Sequence, residues 1–354
     1  MKDLQRELGR LGDTCAALII SPENRRYFTS FPSSNGFLLV NADRAVFITD
    51  GRYIEAAEKQ AQNCEVVLQE RIFPQISEIL KEMNCRHLLV EASRMNLDFH
   101  NSLKGSAKDV KILTDTSLDS MINTFRSVKT KDELDSIKAA QKITDDAFSH
   151  ICTFIKEGVT EKEIGLELDF YMLSHGGEAL SFETIAISGE NTSMPHGVPG
   201  ERHIQNGDFI TMDFGTVVNG YHSDMTRTVA LGYATDEMKT VYETVKKAQE
   251  KCISGIKAGL TGIECDALAR DVIKSGGFGE YFTHSTGHGV GIEIHEFPNL
   301  NLSNDIPLVP GQIVTVEPGI YIPNKFGVRI EDMVCITENG CEDLTGSPKD
   351  LIIL

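Results

Sequence analysis

Tryptophan is missing from all 354 residues, so any aromatic wall around a ligand must come from Phe, Tyr or His. Positive charge is scarce: 34 Lys plus Arg stand against 52 Asp plus Glu, a formal net charge of −18. That balance argues against a phosphate-binding surface and makes nucleic acid an improbable partner. No run approaches the ~18 consecutive apolar residues that a membrane helix needs, so no membrane partner is expected. The N-terminus, Met-Lys-Asp-Leu-Gln-Arg-Glu-Leu, is charged and amphipathic and has no apolar signal core. Eight cysteines, at 15, 64, 85, 152, 252, 265, 335 and 341, form no Cys-x-x-Cys, which gives a thiolate zinc site or redox pair little support. Reduced, mostly buried thiols in a cytoplasmic protein are the expectation.

At roughly 150 residues per domain, the length predicts about two domains. A composition of 41% hydrophobic and 24% charged residues is that of an ordinary globular chain. The first ~120 residues alternate short strands with helices in a mixed α/β pattern. Ala16–Ile20, Gly36–Val40, Ala45–Thr49, Glu65–Leu68 and His87–Val90 read as strands, and Arg52–Gln62 and Phe73–Met83 as helices. This part has no dense cluster of chemically active side chains and is expected to be a supporting domain, residues 1–124. The pattern changes around Met121–Thr130, and a second domain is expected over 125–354.

Thr130-Lys-Asp-Glu133 is a capping box. It predicts a long helix over Lys131–Lys156, with Gly158 as its C-cap. Thr160-Glu-Lys-Glu163 caps a second helix that ends near His175-Gly-Gly177. The arrangement recurs 101 residues later, where Ile256-Lys257, Gly259, Thr261 and Glu264 repeat Ile155-Lys156, Gly158, Thr160 and Glu163. Ala147 matches Ala248 and Gly176 matches Gly277. Because the match includes turn glycines with fixed backbone roles, a duplicated half-domain is preferred to chance similarity. Two such halves would enclose a site between them.

Phe209–Val217 and Tyr221–Val229 read as a hairpin around Asn219-Gly220. Either two-residue loop puts Asp213 and Asp224 on one face, directly opposite or diagonal, roughly 5–8 Å apart at Cβ. Thr211, Thr226 and Thr228 share that face, while Ile210, Met212 and Phe214 take the other. Acids opposed in this way destabilise a sheet unless a cation lies between them. The plainer alternative is that both are solvent-exposed. Ile313–Glu317 reads as a strand, and Val328–Ile336 as another with Arg329 and Glu331 on one face. Arg329 is therefore expected to steady the Glu331 carboxylate by a charge-assisted hydrogen bond, a plain surface ion pair being the alternative. His284-Ser-Thr-Gly-His288-Gly-Val-Gly-Ile-Glu-Ile-His295 packs three histidines and three glycines into twelve residues, which suggests close backbone approach to something bound. Together with four carboxylates on nearby strands it points to a metal. One imidazole among carboxylates suits Mn²⁺, Co²⁺, Fe²⁺ or Zn²⁺, and four carboxylates are accounted for by two ions some ~3.5–4 Å apart.

In these motifs the chain resembles the creatinase/aminopeptidase ("pita-bread") superfamily, and most closely its Xaa-Pro aminopeptidase and prolidase branch. The motifs are Met194-Pro-His-Gly197, Asp213-Phe-Gly215, Ser223-Asp-Met-Thr-Arg-Thr228, His284-x-x-Gly-His288-Gly, Val316-Glu-Pro-Gly319 and Val328-Arg-Ile-Glu-Asp332. The resemblance covers essentially the whole chain. It implies an α+β fold: a pita-bread catalytic domain with pseudo-twofold duplicated halves, preceded by a smaller α/β creatinase-type N-terminal domain. It also implies that Asp213 chelates one ion, that His288 and Glu317 chelate the other, and that Asp224 and Glu331 bridge the pair, Mn²⁺ being the first expectation. His196, His284, His295 and Arg329 match positions around the substrate.

The function implied is hydrolysis of an Xaa-Pro bond at a free N-terminus by a hydroxide bridging two metals. Glu317 would shuttle the proton, and His295 or His284 would donate to the oxyanion. A prolidase restricted to dipeptides is the alternative reading. A non-catalytic module on the same scaffold is a remoter one, since it would not need five metal ligands. The family also implies a homodimer.

Overall fold

The computed structural model describes all 354 residues and divides into two compact units, Met1–Arg126 and Ser127–Leu354. In the first unit, helices α1 (Lys2–Leu11), α2 (Pro22–Thr29), α3 (Ile54–Gln60), α4 (Ile72–Glu82), α5 (Leu97–Ser106) and α6 (Ser117–Ser127) accompany six strands. These are β1 (Cys15–Ile19), β2 (Phe37–Asn41), β3 (Ala45–Thr49), β4 (Glu65–Leu68), β5 (His87–Val90) and β6 (Lys111–Leu113), in the order β4-β3-β2-β1-β5-β6. The pairings are antiparallel for β1 with β2 and β2 with β3, and parallel for the rest. A sheet covered on both faces needs apolar residues at every position rather than at alternate ones. Strand β1 shows this: Ala17 and Ile19 enter one core, Ala16 and Leu18 the other.

The second unit begins with α7 (Lys131–Phe154) and α8 (Glu161–Ser174), and continues through β7 (Ala179–Leu180), β8 (Ile185–Ser188), β9 (Phe209–Phe214), β10 (Thr216–Val218), β11 (Tyr221–His222) and β12 (Met225–Ala230). Then come α9 (Asp236–Gly255), α10 (Gly262–Ser275), β13 (Gly287–Gly289), β14 (Glu296–Leu300), β15 (Ile313–Val316), β16 (Gly319–Ile322), β17 (Phe326–Arg329), β18 (Asp332–Ile336) and β19 (Cys341–Asp343). The duplication read from the turn glycines is present in the backbone. Helix α8 recurs as α10, shifted by 101 positions at both ends, and α7 and α9 end with the same shift. Thr160 with Glu163 and Thr261 with Glu264 each form a complete capping box. Gly158 (φ 87°) donates to Ile204 O at 3.0 Å, and Gly259 (φ 89°) to Leu308 O at 2.9 Å. Each half has its own core, one under α7 and α8 and one under α9 and α10.

Gly158 is not the C-cap expected for α7. The helix stops at Phe154 because Ile155 turns to extended backbone, and the left-handed glycine makes a separate turn three residues on. Because each Thr hydroxyl accepts from the N3 amide while Glu at N3 accepts from the Thr amide, replacing either threonine orphans donors at a helix start. Thr160→Ala and Thr261→Ala are each expected to lower unfolding free energy by about 1 kcal/mol, measurable by urea titration.

Candidate metal centre

The four acids are carried by two hairpins that break in the same way. In the first half Asp213 lies opposite Thr226 on β9–β12, and Val217 lies opposite His222 on β10–β11. The register does not slip between them, yet the ladder is interrupted at Gly215 and at Ser223-Asp224. The single predicted hairpin is thus two short ones belonging to different sheets, although its Asn219-Gly220 turn has the two positive φ values (51° and 83°) of a type I′ loop. The register makes Asp213 and Asp224 diagonal neighbours. Gly215 permits the break: a Cβ there would lie 2.0 Å from Ser223 O.

The second half repeats the device. Val316 pairs with Asp332 on β15–β18, and Gly319 with Arg329 on β16–β17, leaving Glu317-Pro318 and Ile330-Glu331 in the gap. The strand expected over Val328–Ile336 is therefore two strands in two sheets. This overturns the expected Arg329–Glu331 hydrogen bond, since period-two geometry does not hold across a strand that changes sheets. Arg329 instead donates to Asp213 Oδ2 (2.5 Å), Thr226 Oγ1 (3.0 Å) and Tyr321 OH (2.8 Å). Glu331 accepts from the Thr226 hydroxyl at 2.7 Å. Thr226 and Tyr321 thus belong to the site. Thr226 was visible in the sequence as a residue on the acid face, whereas Tyr321 left no periodic signal.

Strand β13 lies against β15 and carries His288, whose backbone amide donates to Thr315 Oγ1 at 3.1 Å. Its ring Nδ1 lies 3.1 Å from Gly289 O, and a carbonyl only accepts, so Nδ1 carries the proton and Nε2 a lone pair. That Nε2 lies 3.5 Å from Asp224 Oδ2 and 3.4 Å from Glu317 Oε1. All five expected ligands, Asp213, Asp224, His288, Glu317 and Glu331, line one cavity of about 660 Å³ with His196, His284, His295 and Arg329. Asp224, His288 and Glu331 each bring a ligand atom within 4.8 Å of the others.

The electrostatics of this cavity call for a cation. Asp224 and Glu331 are 4% and 1% exposed, and burial, reinforced by the neighbouring acids, pushes both carboxyls well above the usual range. Burial also raises Glu317, to about 7. His288 is lowered by burial and so stays neutral. Asp213 Oδ1 is buried without a hydrogen-bond partner. Four carboxylates face one guanidinium, and the histidine presents an acceptor to acceptors. Oxygen donors with one imidazole fit divalent ions of the Mn²⁺–Zn²⁺ range. The Nδ1–H bond to a carbonyl is the supporting contact a ligating histidine requires.

The remaining histidines divide into held and free. His284 Nδ1 lies 2.8 Å from Ser285 O, and Nε2 lies 2.9 Å from Tyr321 OH. Burial lowers this ring to about 4, so it is neutral, with Nε2 accepting from the tyrosine. Both nitrogens being occupied, His284 is poorly placed to donate to an oxyanion, contrary to expectation. His295 stands exposed at the cavity with its ring 4.3 Å from that of His288, and His196 is an exposed loop residue on the lining. The turn before His295 is anchored from beneath. Lys129 Nζ meets Glu296 Oε1 at 2.6 Å, with side chains 1% and 4% exposed, and Gly291 passes so close that a Cβ would lie 2.3 Å from that oxygen.

Residues 135–338 match metallopeptidase family M24, and residues 1–128 match the creatinase/prolidase N-terminal domain. The chain is 42% identical to the uncharacterized peptidase YqhT of Bacillus subtilis, over 100% of this chain and 99% of that one. Among solved structures, an Xaa-Pro dipeptidase from Bacillus anthracis is 43% identical with a TM-score of 0.94, covering 100% of this chain and 98% of that chain. An X-Pro aminopeptidase from Thermotoga maritima MSB8 is 34% identical with a TM-score of 0.91, covering 98% and 100%.

Thr226→Val keeps the side-chain shape and removes the hydroxyl shared by Arg329 and Glu331. Mn²⁺ affinity measured by isothermal titration is expected to fall about 10–100-fold. Unchanged affinity would rule out this positioning role.

Proposed function

The chain belongs to metallopeptidase family M24, and on that premise we propose that it is an Xaa-Pro aminopeptidase, removing the first residue from peptides whose second residue is proline. The observation that carries this reading is the cavity in which an imidazole lone pair and four carboxylates face one another with a single arginine as counter-charge. Asp213, Asp224, His288, Glu317 and Glu331 would hold two divalent ions, Mn²⁺ first among them, with Asp224 and Glu331 shared. Such ions supply a nucleophilic water near neutral pH and polarise the scissile carbonyl.

The protein's own groups do the rest. Glu317 takes the proton of the attacking water and gives it to the departing proline nitrogen. His295 donates to the oxygen on which negative charge develops, as its exposed ring at the cavity allows. Arg329 fixes Asp213 and, through Tyr321, immobilises His284 as a wall of the site. Proline suits this cavity because its amide nitrogen has no hydrogen to satisfy. Apolar lining from Phe182, Ile185, Pro195, Val198, Pro199 and Ile294 offers a surface for a pyrrolidine ring. A homodimer in the cytoplasm completes the proposal, and the eight separate thiols accord with a reducing compartment.

The named dipeptidase among the similar structures keeps a second reading open, a prolidase acting only on dipeptides. Release of Xaa from an Xaa-Pro-Yaa tripeptide, compared with release of proline from Xaa-Pro, decides between them. The aminopeptidase reading expects the tripeptide to be cleaved at least as well. Elemental analysis should find two ions per chain, falling to one in Asp213→Ala. His288→Ala and Glu331→Ala should lose turnover by at least a thousandfold while circular dichroism stays unchanged. One ion in the native protein would refute the dinuclear assignment.

A further inference from the structure

Helices α8 and α10 bury the same five positions, which provides an internal control for what the fold requires. Ile164, Leu168 and Met172 in α8 answer to Cys265, Ala269 and Ile273 in α10. The other two positions exchange roles. Glu161 corresponds to Gly262, and Gly165 to Asp266, so each helix buries one carboxylate but at a different place. Because the packing accepts glycine at either position, it does not itself require an acid there. A buried carboxylate is costly unless its partners compensate, so what each one holds accounts for its presence.

Both hold irregular backbone that carries a histidine of the cavity. Glu161 accepts from Ser188 N at 2.7 Å, Asn191 Nδ2 at 2.9 Å and Gly200 N at 3.1 Å, on either side of His196. Asp266, fully buried, holds residues 282–286, the segment that carries His284 and leads into β13 with His288. Its Oδ1 accepts from Thr286 N at 3.0 Å and from the Thr286 hydroxyl at 2.9 Å. Arg270, one turn along α10, forks onto both oxygens, Nε to Oδ2 at 2.6 Å and Nη2 to Oδ1 at 2.9 Å. The same guanidinium donates to His284 O at 2.7 Å and Phe282 O at 3.1 Å, and lies 4.2 Å from the centre of the Phe282 ring. At the corresponding position α8 has Asp169, which accepts from Thr184 Oγ1 instead. One further bond connects this grip to the acids: Thr286 O accepts from Glu317 N at 2.8 Å. Neither Asp266 nor Arg270 lines the cavity.

We propose that Asp266 and Arg270 are positioning residues for the hydrolysis. Together they clamp residues 282–286, and through that segment they fix the Glu317 backbone and the placing of His284. This rests on the reading in which Glu317 holds metal and moves the proton. Segment 282–286 belongs to no strand, so its backbone groups depend on these side chains for partners. A planar fork that is paired with a carboxylate, stacked on a ring and bonded to two carbonyls fixes its neighbours in a way that a lysine ammonium does not.

The test uses Arg270→Lys, which keeps the charge and loses the fork, and Thr286→Val, which keeps the shape and loses the hydroxyl bonded to Asp266. Thr235→Ala is the control for lost stability alone, since that hydroxyl caps α9 by accepting from Met238 N at 3.2 Å. Circular dichroism checks folding. Mn²⁺ affinity is read by isothermal titration, and kcat and KM on an Ala-Pro-Gly tripeptide at saturating Mn²⁺. Both clamp variants are expected to bind Mn²⁺ about tenfold more weakly. Both should also lose kcat about tenfold with KM within about threefold of native, because the group displaced acts in the transition state. The double variant should lose less than the product of the two, as both act through one clamp. Thr235→Ala should match native protein in all three quantities. Native-like Mn²⁺ affinity and kcat in Arg270→Lys overturn the proposal, and should that variant not fold, the same result in Thr286→Val does so. Equal losses in Thr235→Ala also overturn it, because they would follow stability and not the clamp. Failure of the aminopeptidase reading looks different: native protein would cleave no Xaa-Pro peptide, and Mn²⁺ affinity would still decide on the clamp.

Discussion

Mutual repulsion among buried carboxylates is the constraint around which the second unit is built. Asp213, Asp224, Glu317 and Glu331 stand in one cavity with Arg329 as the cation among them. Burial raises the charged forms of Asp224, Glu317 and Glu331 in energy, and the neighbouring acids raise them further. A fold does not gather such groups for stability. It gathers them by interrupting two hairpins where the ladder would otherwise continue, so that side chains and backbone turn toward a common point. The rigid parts lie on either side of each interruption, which lets the core pack normally while the gaps stay polar.

The duplicated architecture explains how one chain obtains four acids in two matched pairs. Asp213-Phe-Gly215 in the first half and Glu317-Pro-Gly319 in the second occupy corresponding ends of corresponding strands. The halves are not equivalent in chemistry. Only the second supplies the imidazole of His288 and the guanidinium of Arg329, and Arg329 reaches back across to Asp213. That crossing, with Arg227 of the first half joined at 2.7 Å to Asp332 of the second, locks the two hairpins in one arrangement.

Much of this could be read from the residues alone. Period two put Asp213 and Asp224 on one face with Thr226, and the capping boxes fixed the helix starts that the structure repeats. These are local signals, set by side-chain alternation or by the first turn of a helix. What escaped depends on where the chain goes after a local rule ends. Arg329 and Glu331 share a face only if their strand is continuous, and it is not. His284 looked like an available donor because its two partners, a backbone carbonyl and Tyr321, leave no pattern in sequence. The Lys129–Glu296 pair spans 167 positions, and a contact at that separation is announced by neither residue.

That ion pair also bears on where the second unit can be cut. Lys129 precedes the segment matched by the M24 family, which starts at residue 135, yet its ammonium group is almost wholly enclosed against Glu296 beside His295. A fragment trimmed to the matched segment would strand an anion in the interior, a defect of about 3–5 kcal/mol when one partner of a buried pair is removed. Backbone bonding from Lys129 N to Gly311 O would vanish with it. The second unit therefore includes Lys129 as part of its fold, and the connecting segment belongs physically to the site it precedes.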